Sequence, residues 1–242
     1  MPIFALIGGK SNQEKQKNRI EEHLLKRTNK EKPCVLFCPY AAVSDMDKSI
    51  RRFHQLMEGL SCDIIDLTLK NIDCFETYFK QCDILYIGGG HCDELLAVFK
   101  EYALDKIIMK YMQSKILAGS SAGAMLYTYA SMGDRYAYAD NFHIYNYKMV
   151  DCLNFLNITI CPHYQQEDLV VYNDVLRQYP CDAFGIEEDT MVVIEENQYY
   201  VIKENKNKSV YYFDRDKNYL MIPLYEGVLY EKNCSFRTKG HI

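Results

Sequence analysis

Residues 115–126 read KILAGSSAGAML, and how this stretch is read decides the fold. A short apolar segment, predicted as a strand over Lys115 to Ala118, runs directly into glycine, alanine and two adjacent serines. Within Gly119-Ser120-Ser121-Ala122-Gly123 the pattern G-x-S-x-G occurs once, centred on Ser121. Small flanking residues let the backbone fold tightly from strand to helix, so that the central hydroxyl projects outward and the next N–H groups stay unpaired. The sequence after it, AGAMLYTYA, is compatible with a helix. A helix N-cap or a plain packing turn is the structural alternative for the same residues.

Working outward, short apolar runs alternate with amphipathic ones. Strands are predicted at Ile3–Ile7, Cys34–Phe37, Asp63–Asp66, Ile84–Ile87, Lys115–Ala118 and Ile158–Cys161, too apolar for surface strands. Helical patterns cover Gln13–Arg27, Asp45–Glu58, Asp93–Lys100 continuing toward Gln113, and Glu167–Gln178, with Asp45 and Asp93 as N-caps. Such alternation predicts an α/β fold, a mostly parallel sheet sandwiched between helices. After Gly185 the chain turns tyrosine-rich and β-branched, broken by EENQ, ENKNK and DRDKN, which reads as antiparallel hairpins over about 190–235 that extend or cover a sheet edge. With no repeat or linker visible, residues 1–242 are expected to form one domain.

Composition narrows the function. The net charge of −5 comes from interspersed acids and bases, with no basic stripe to neutralise phosphates, so nucleic acid is not the expected partner. The opening MPIFALIGGK is too short an apolar run for a membrane span and has no basic leader, which predicts a cytoplasmic protein with no membrane partner. Ten cysteines include no CxxC pair, and Cys34, Cys62, Cys82 and Cys161 border apolar runs, so all are expected to be reduced and structural, with no metal and no cofactor.

In a parallel α/β sheet, ligands meet the protein beyond the carboxyl ends of the strands. Three such places are unusual: YIGGGHCDEL, AGSSAGAM and CPHYQQ. A serine hydroxyl needs a base within hydrogen-bond reach. His163, fixed behind Pro162 at the end of ITIC, is the first candidate, and His91 after three glycines is the second; His23, His54, His143 and His241 lie in charged faces, an irregular segment or the tail. The base must be oriented by a carboxylate. GIEEDT supplies Glu187, Glu188 and Asp189, and Asp134 is a rival; in an extended segment Glu187 and Glu188 cannot both face the histidine, and the choice stays open. The GGG run lacks the Lys-Ser/Thr of a phosphate loop. Its backbone N–H groups, at Gly89 or Gly90, together with that of Ala122, are suited instead to a developing oxyanion.

Taken in order, YIGGGHCDELL, LAGSSAGAM, CPHY and GIEEDT resemble the peptidase E and cyanophycinase family of serine peptidases, through about Ile194. The resemblance implies a class I glutamine amidotransferase-like fold with serine in place of cysteine, and a Ser-His-Glu triad made of Ser121 as nucleophile, His163 as base and Glu188 as orienting acid, with Asp134 as the alternative acid. It implies a serine peptidase acting on small peptides or amides through an acyl-enzyme. Two departures stand out. The family commonly reads Gly-Gly-Gly-Asn-Thr where this chain has His91 and Cys92, which places His91 in the substrate neighbourhood; and HYQQEDLVVY runs almost directly into helix, where peptidase E has a longer loop bearing an arginine, so an aspartyl preference is not carried over. An esterase or other acyl hydrolase, and a non-catalytic binding module on the same scaffold, are the alternatives, and the C-terminal tyrosines are candidates for a homodimer interface.

Overall fold

The computed structural model describes residues 1–11, 18–133, 149–165 and 169–232. Along the chain run β1 (Ile3–Ile7), α1 (Arg19–Arg27), β2 (Cys34–Cys38), α2 (Met46–Leu56), β3 (Asp63–Asp66), α3 (Phe75–Gln81), β4 (Ile84–Ile87), α4 (Cys92–Glu101), α5 (Leu104–Tyr111), β5 (Ile116–Ser120) and α6 (Ala122–Met125). Then follow β6 (Thr128–Met132), β7 (Met149–Asp151), β8 (Leu156–Pro162), α7 (Leu169–Leu176), β9 (Asp182–Ile186), β10 (Thr190–Glu195), β11 (Gln198–Lys203), β12 (Val210–Asp214), β13 (Leu220–Leu224) and β14 (Tyr230–Glu231).

Two sheets form. The first has the order β14-β11-β10-β1-β5-β4-β2-β3, and the second β13-β12-β9-β8-β6-β7. From β1 to β3 the first sheet is parallel, while β10, β11 and β14 continue it antiparallel. Side-chain alternation along β1 shows why both faces are apolar: Phe4 and Leu6 enter one core, Ala5 and Ile7 the other. On the Ala5 face lie Ile20 and Leu24 of α1 and Phe53 of α2, whose ring stacks on Phe37 with centroids 4.0 Å apart. On the Phe4 face lie α3, α4 and α5, together with the inner side of the second sheet through Ile158, Ile160 and Phe184. A third cluster, with Tyr164, Tyr172, Leu176 and Phe213, seats α7 on the outer side of that second sheet.

The α/β class expected from the alternation holds, but one sheet becomes two. Ile158–Cys161, read as a sixth strand of the parallel sheet, belongs to β8 of the second sheet, where it pairs in parallel with β6 and β9. Both sides of β1 are already occupied, by β5 on one and the hairpin strand β10 on the other, so β8 has no place beside it. The C-terminal hairpins divide accordingly, β10–β11 extending the first sheet and β12–β13 the second.

Local corrections follow the same logic of tertiary pairing. The segment after Ser121 is helical only through Met125, because Thr128–Met132 pairs with β7 and β8 as a strand. His91, not Asp93, occupies the N-cap position of α4, and the predicted long helix is broken by Ala103, whose φ of 51° lies in the left-handed region, into α4 and α5. Asp45 does precede α2, and its carboxylate meets Lys48 at 3.1 Å. Helix α3 was not anticipated. Among the described residues no helix is long and apolar enough to cross a membrane.

Candidate active site

β5 delivers Ser120 to the carboxyl edge of the first sheet, and the chain reverses at Ser121 with φ 52° and ψ −115°. A non-glycine residue there is strained by order 1–3 kcal/mol. The surrounding contacts leave no room for larger neighbours: a Cβ on Gly119 would stand 2.2 Å from the Gly123 carbonyl oxygen. The Ser121 N–H donates to the Ile7 carbonyl at 2.9 Å, tying the turn to β1. Ser121 itself stays partly open to solvent, and Ala122, the first residue of α6, is buried.

β8 extends through Pro162, and His163 follows with φ 51°, its N–H donating to the Gly8 carbonyl at 2.9 Å. From there the imidazole Nε2 lies 2.8 Å from Ser121 Oγ, and Nδ1 lies 2.9 Å from Glu188 Oε1. A carboxylate only accepts, so Nδ1 carries the proton and donates to Glu188, leaving Nε2 to accept the Ser121 hydroxyl hydrogen. His163 and Glu188 are each about one third exposed (32% and 37%), so solvent and small molecules reach the chain of groups. The three residues come from the ends of β5, β8 and β9, in two different sheets.

Of the acids left open by the sequence, Glu188 meets the histidine. Glu187 turns toward Lys208 at 3.5 Å, and Asp189 is buried and accepts from Ser11. Asp134 lies outside the described residues, as do His143 and His241. His23 bonds the Tyr200 hydroxyl at 2.9 Å and His54 bonds Asp66 at 2.8 Å, both away from Ser121. Burial, with Arg27 and Lys26 nearby, holds His23 below the ordinary histidine range.

Gly89 packs against the turn, since a Cβ there would stand 3.2 Å from Ser121 Cβ. Among the described residues, no hydrogen-bond acceptor engages the N–H groups of Gly89, Gly90 or Ala122. A cleft of about 880 Å³ opens over this edge, lined by Ser121, His163, Gly88 to Gly90, and Lys10, Lys48, Ser49 and Arg52. His91 is not among its lining residues; its N–H donates to the Ala41 carbonyl at 2.6 Å. No group of metal-ligating side chains occurs among the described residues.

Sequence reasoning missed the platform beneath the imidazole. Gly8 and Gly9 follow β1, and at Gly9, with φ 129°, a Cβ would stand 2.3 Å from His163 Cε1. The pair of glycines directly after the first strand was the available signal. Next to it, Lys10 is clamped between Glu21 at 2.9 Å and Glu204 at 2.5 Å, and Glu21 also accepts from the Tyr86 hydroxyl.

Known proteins resemble this chain in sequence and in fold. The model of peptidase family S51 matches residues 3–202. The chain is 27% identical over 168 residues to the uncharacterised peptidase YgaJ of Bacillus subtilis (strain 168), covering 68% of this chain and 69% of that protein. Its fold is similar to that of a peptidase from an acI-B1 Actinobacterium, with a TM-score of 0.70, 19% identity and coverage of 96% and 97% of the two chains. It is also similar to a putative peptidase E protein from Listeria monocytogenes EGD-e, with a TM-score of 0.58, 19% identity and coverage of 84% and 98%.

Proposed function

The chain belongs to peptidase family S51, a family of serine peptidases, and from that premise we propose that it cleaves small peptides or amides through an acyl-enzyme formed on Ser121. The observation that carries the reading is the unbroken hydrogen-bonded path from Ser121 Oγ through the His163 ring to Glu188. In the first step Ser121 Oγ attacks the scissile carbonyl carbon while its proton passes to His163 Nε2. Glu188 holds the imidazolium that forms. The carbonyl oxygen, now negative, takes its hydrogen bonds from the N–H groups of Gly89, Gly90 and Ala122, which no acceptor among the described residues occupies.

Collapse of this intermediate breaks the C–N bond, and the proton on Nε2 goes to the departing amine. Water then enters, gives a proton to Nε2 and attacks the acyl carbon, releasing the acid and restoring the serine. Each oxyanion donor is expected to contribute about 3 kcal/mol to lowering the barrier. A cleft of about 880 Å³ falls within the roughly 300–1,000 Å³ usual for small-ligand sites, which favours short substrates.

The test is labelling by a fluorophosphonate, read by intact mass, beside hydrolysis of a panel of dipeptides, tripeptides, aminoacyl amides and esters. The wild type is expected to gain one adduct on Ser121, and Ser121→Ala to gain none while losing turnover by about 10⁶-fold. Turnover of the panel by Ser121→Ala at the wild-type rate would end this reading. Hydrolysis of esters with no peptide or amide cleaved would convert it to an acyl hydrolase.

A further inference from the structure

Asp189 is a buried carboxylate, 4% exposed, one residue beyond Glu188, and the chemistry above gives it no task. It sits at the β9–β10 turn with φ 61°, a left-handed conformation uncommon outside glycine, asparagine and aspartate. Both its carboxylate oxygens are taken by a single residue: Ser11 N–H donates to Oδ1 at 2.9 Å and Ser11 Oγ–H to Oδ2 at 2.5 Å. Its own N–H donates to the Gly9 carbonyl at 2.9 Å, and its carbonyl accepts from Glu204 N–H at 2.9 Å. One residue on, the Thr190 carbonyl accepts from Gly8 N–H at 3.1 Å, and Thr190 Oγ1 donates to the Glu187 carbonyl at 2.7 Å.

These bonds join the turn that carries Glu188 to the Gly8–Ser11 loop. The other side of that loop meets His163: the Gly8 carbonyl accepts His163 N–H, and the empty Cβ position of Gly9 faces the imidazole edge. The loop is therefore held between Asp189 and His163, and the relative placement of Glu188 and the imidazole depends on it. Burying a carboxylate is costly unless it is hydrogen-bonded, and two donors from one residue fix both the distance and the tilt of what they join.

We propose that Asp189, acting with Ser11, is a positioning residue that sets the register of Glu188 against His163 through the Gly8–Ser11 loop. This rests on the reading of Ser121, His163 and Glu188 as the reacting groups. Asp189 touches no reacting atom; its effect passes through the loop.

Purified full-length Ser11→Ala, Asp189→Ala, the double variant and Asp189→Asn are compared with wild type by steady-state kinetics on the best substrate of the panel, fluorophosphonate labelling rate, circular dichroism and thermal midpoint. Each alanine variant is expected to lower kcat about ten-fold or more with KM within about two-fold, since placement and not binding is lost. The double variant is expected to be no worse than Asp189→Ala, because Ser11→Ala removes only the hydroxyl bond, one of the two that Asp189→Ala removes together. Asp189→Asn is expected to recover most of the rate: the amide oxygen accepts Ser11 N–H and the amide nitrogen donates to Ser11 Oγ. Wild-type kcat in folded Asp189→Ala, or an asparagine variant as slow as the alanine one, would overturn the inference. Should Asp189→Ala fail to fold, Ser11→Ala, which removes only a hydroxyl, decides: wild-type kcat there overturns it as well. A wild type that takes no label and cleaves nothing removes instead the reading on which the proposal stands.

Discussion

Replacing Gly9 by alanine tests the site through a residue that never meets the substrate. The added Cβ would stand 2.3 Å from His163 Cε1 and 2.8 Å from Nδ1, whereas ordinary contact begins at 3.4 Å. Relief by movement along the first contact needs 3.4 − 2.3 = 1.1 Å. The loop itself cannot easily retreat, since Gly8 is bonded to His163 and Thr190, and Gly9 to Asp189. If the ring moves directly away from Ser121, the 2.8 Å contact to Oγ opens by a comparable amount, to about 3.9 Å, and the hydrogen bond is lost. A misplacement of about 1 Å costs roughly 10²-fold in rate, equivalent to about 2.7 kcal/mol of barrier. Alanine at φ 129° adds backbone strain of about 1–3 kcal/mol against folding. Gly59→Ala is the matched control, because Gly59 also has positive φ, at 80°, but a Cβ there meets nothing within 4 Å. The expected result is a fall of about 10²-fold in kcat and in labelling rate for Gly9→Ala, against a loss of thermal stability alone for Gly59→Ala. Wild-type turnover by folded Gly9→Ala would show that the imidazole is not seated on this loop, and the reasoning would fail.

Three other outcomes are expected. Glu188→Gln should lower kcat by about 10⁴-fold at unchanged fold, since the amide no longer stabilises the imidazolium; a variant within about ten-fold of wild type would return the orienting role to another acid. Lys10→Met leaves Glu21 and Glu204 buried without their cation and should cost about 3–5 kcal/mol at neutral pH by denaturant titration. Burial pulls the Lys10 ammonium down, but Glu21 and Glu204 outweigh it and hold its pKa above the ordinary 10.5, so the wild-type contribution is full below that pH and fades as pH rises through the raised value. Burial raises Glu204 above 4.5, against the pull of Lys10, so protonation stabilises the folded chain and the deficit of Lys10→Met should shrink as pH falls toward 4.5; a deficit that grows on acidification would contradict the assignment. Burial pushes the Cys38 and Cys82 thiols up to about 12, so iodoacetamide at neutral pH should modify exposed Cys74 and spare both in the native protein, as read by peptide mass mapping.

Much of the site was legible in the sequence because its signals are local. A strand followed by Gly-x-Ser-x-Gly states its own backbone, and the turn at Ser121 has the strained geometry that pattern implies. Pro162 before His163, and three glycines after β4, likewise mark strand ends where a parallel sheet presents its ligand-facing edge. Strands β1, β2 and β4, apolar at every position, announced burial on both faces.

What tertiary structure alone decided is how these ends meet. Ser121 and His163 are 42 residues apart, and His163 and Glu188 are 25 apart, in strands of two different sheets. On the positioning role proposed for Asp189, the choice of Glu188 over its neighbours rests on the tether to Ser11, a residue that no window around GIEEDT contains. The same holds for β8, kept from pairing with β1 because the later strand β10 occupies that side, and for Gly9, whose missing side chain matters only because an imidazole from elsewhere fills the space. Local sequence sets backbone preference over a few residues, whereas the partner across a gap is set by which surfaces remain unpaired once the whole chain has packed.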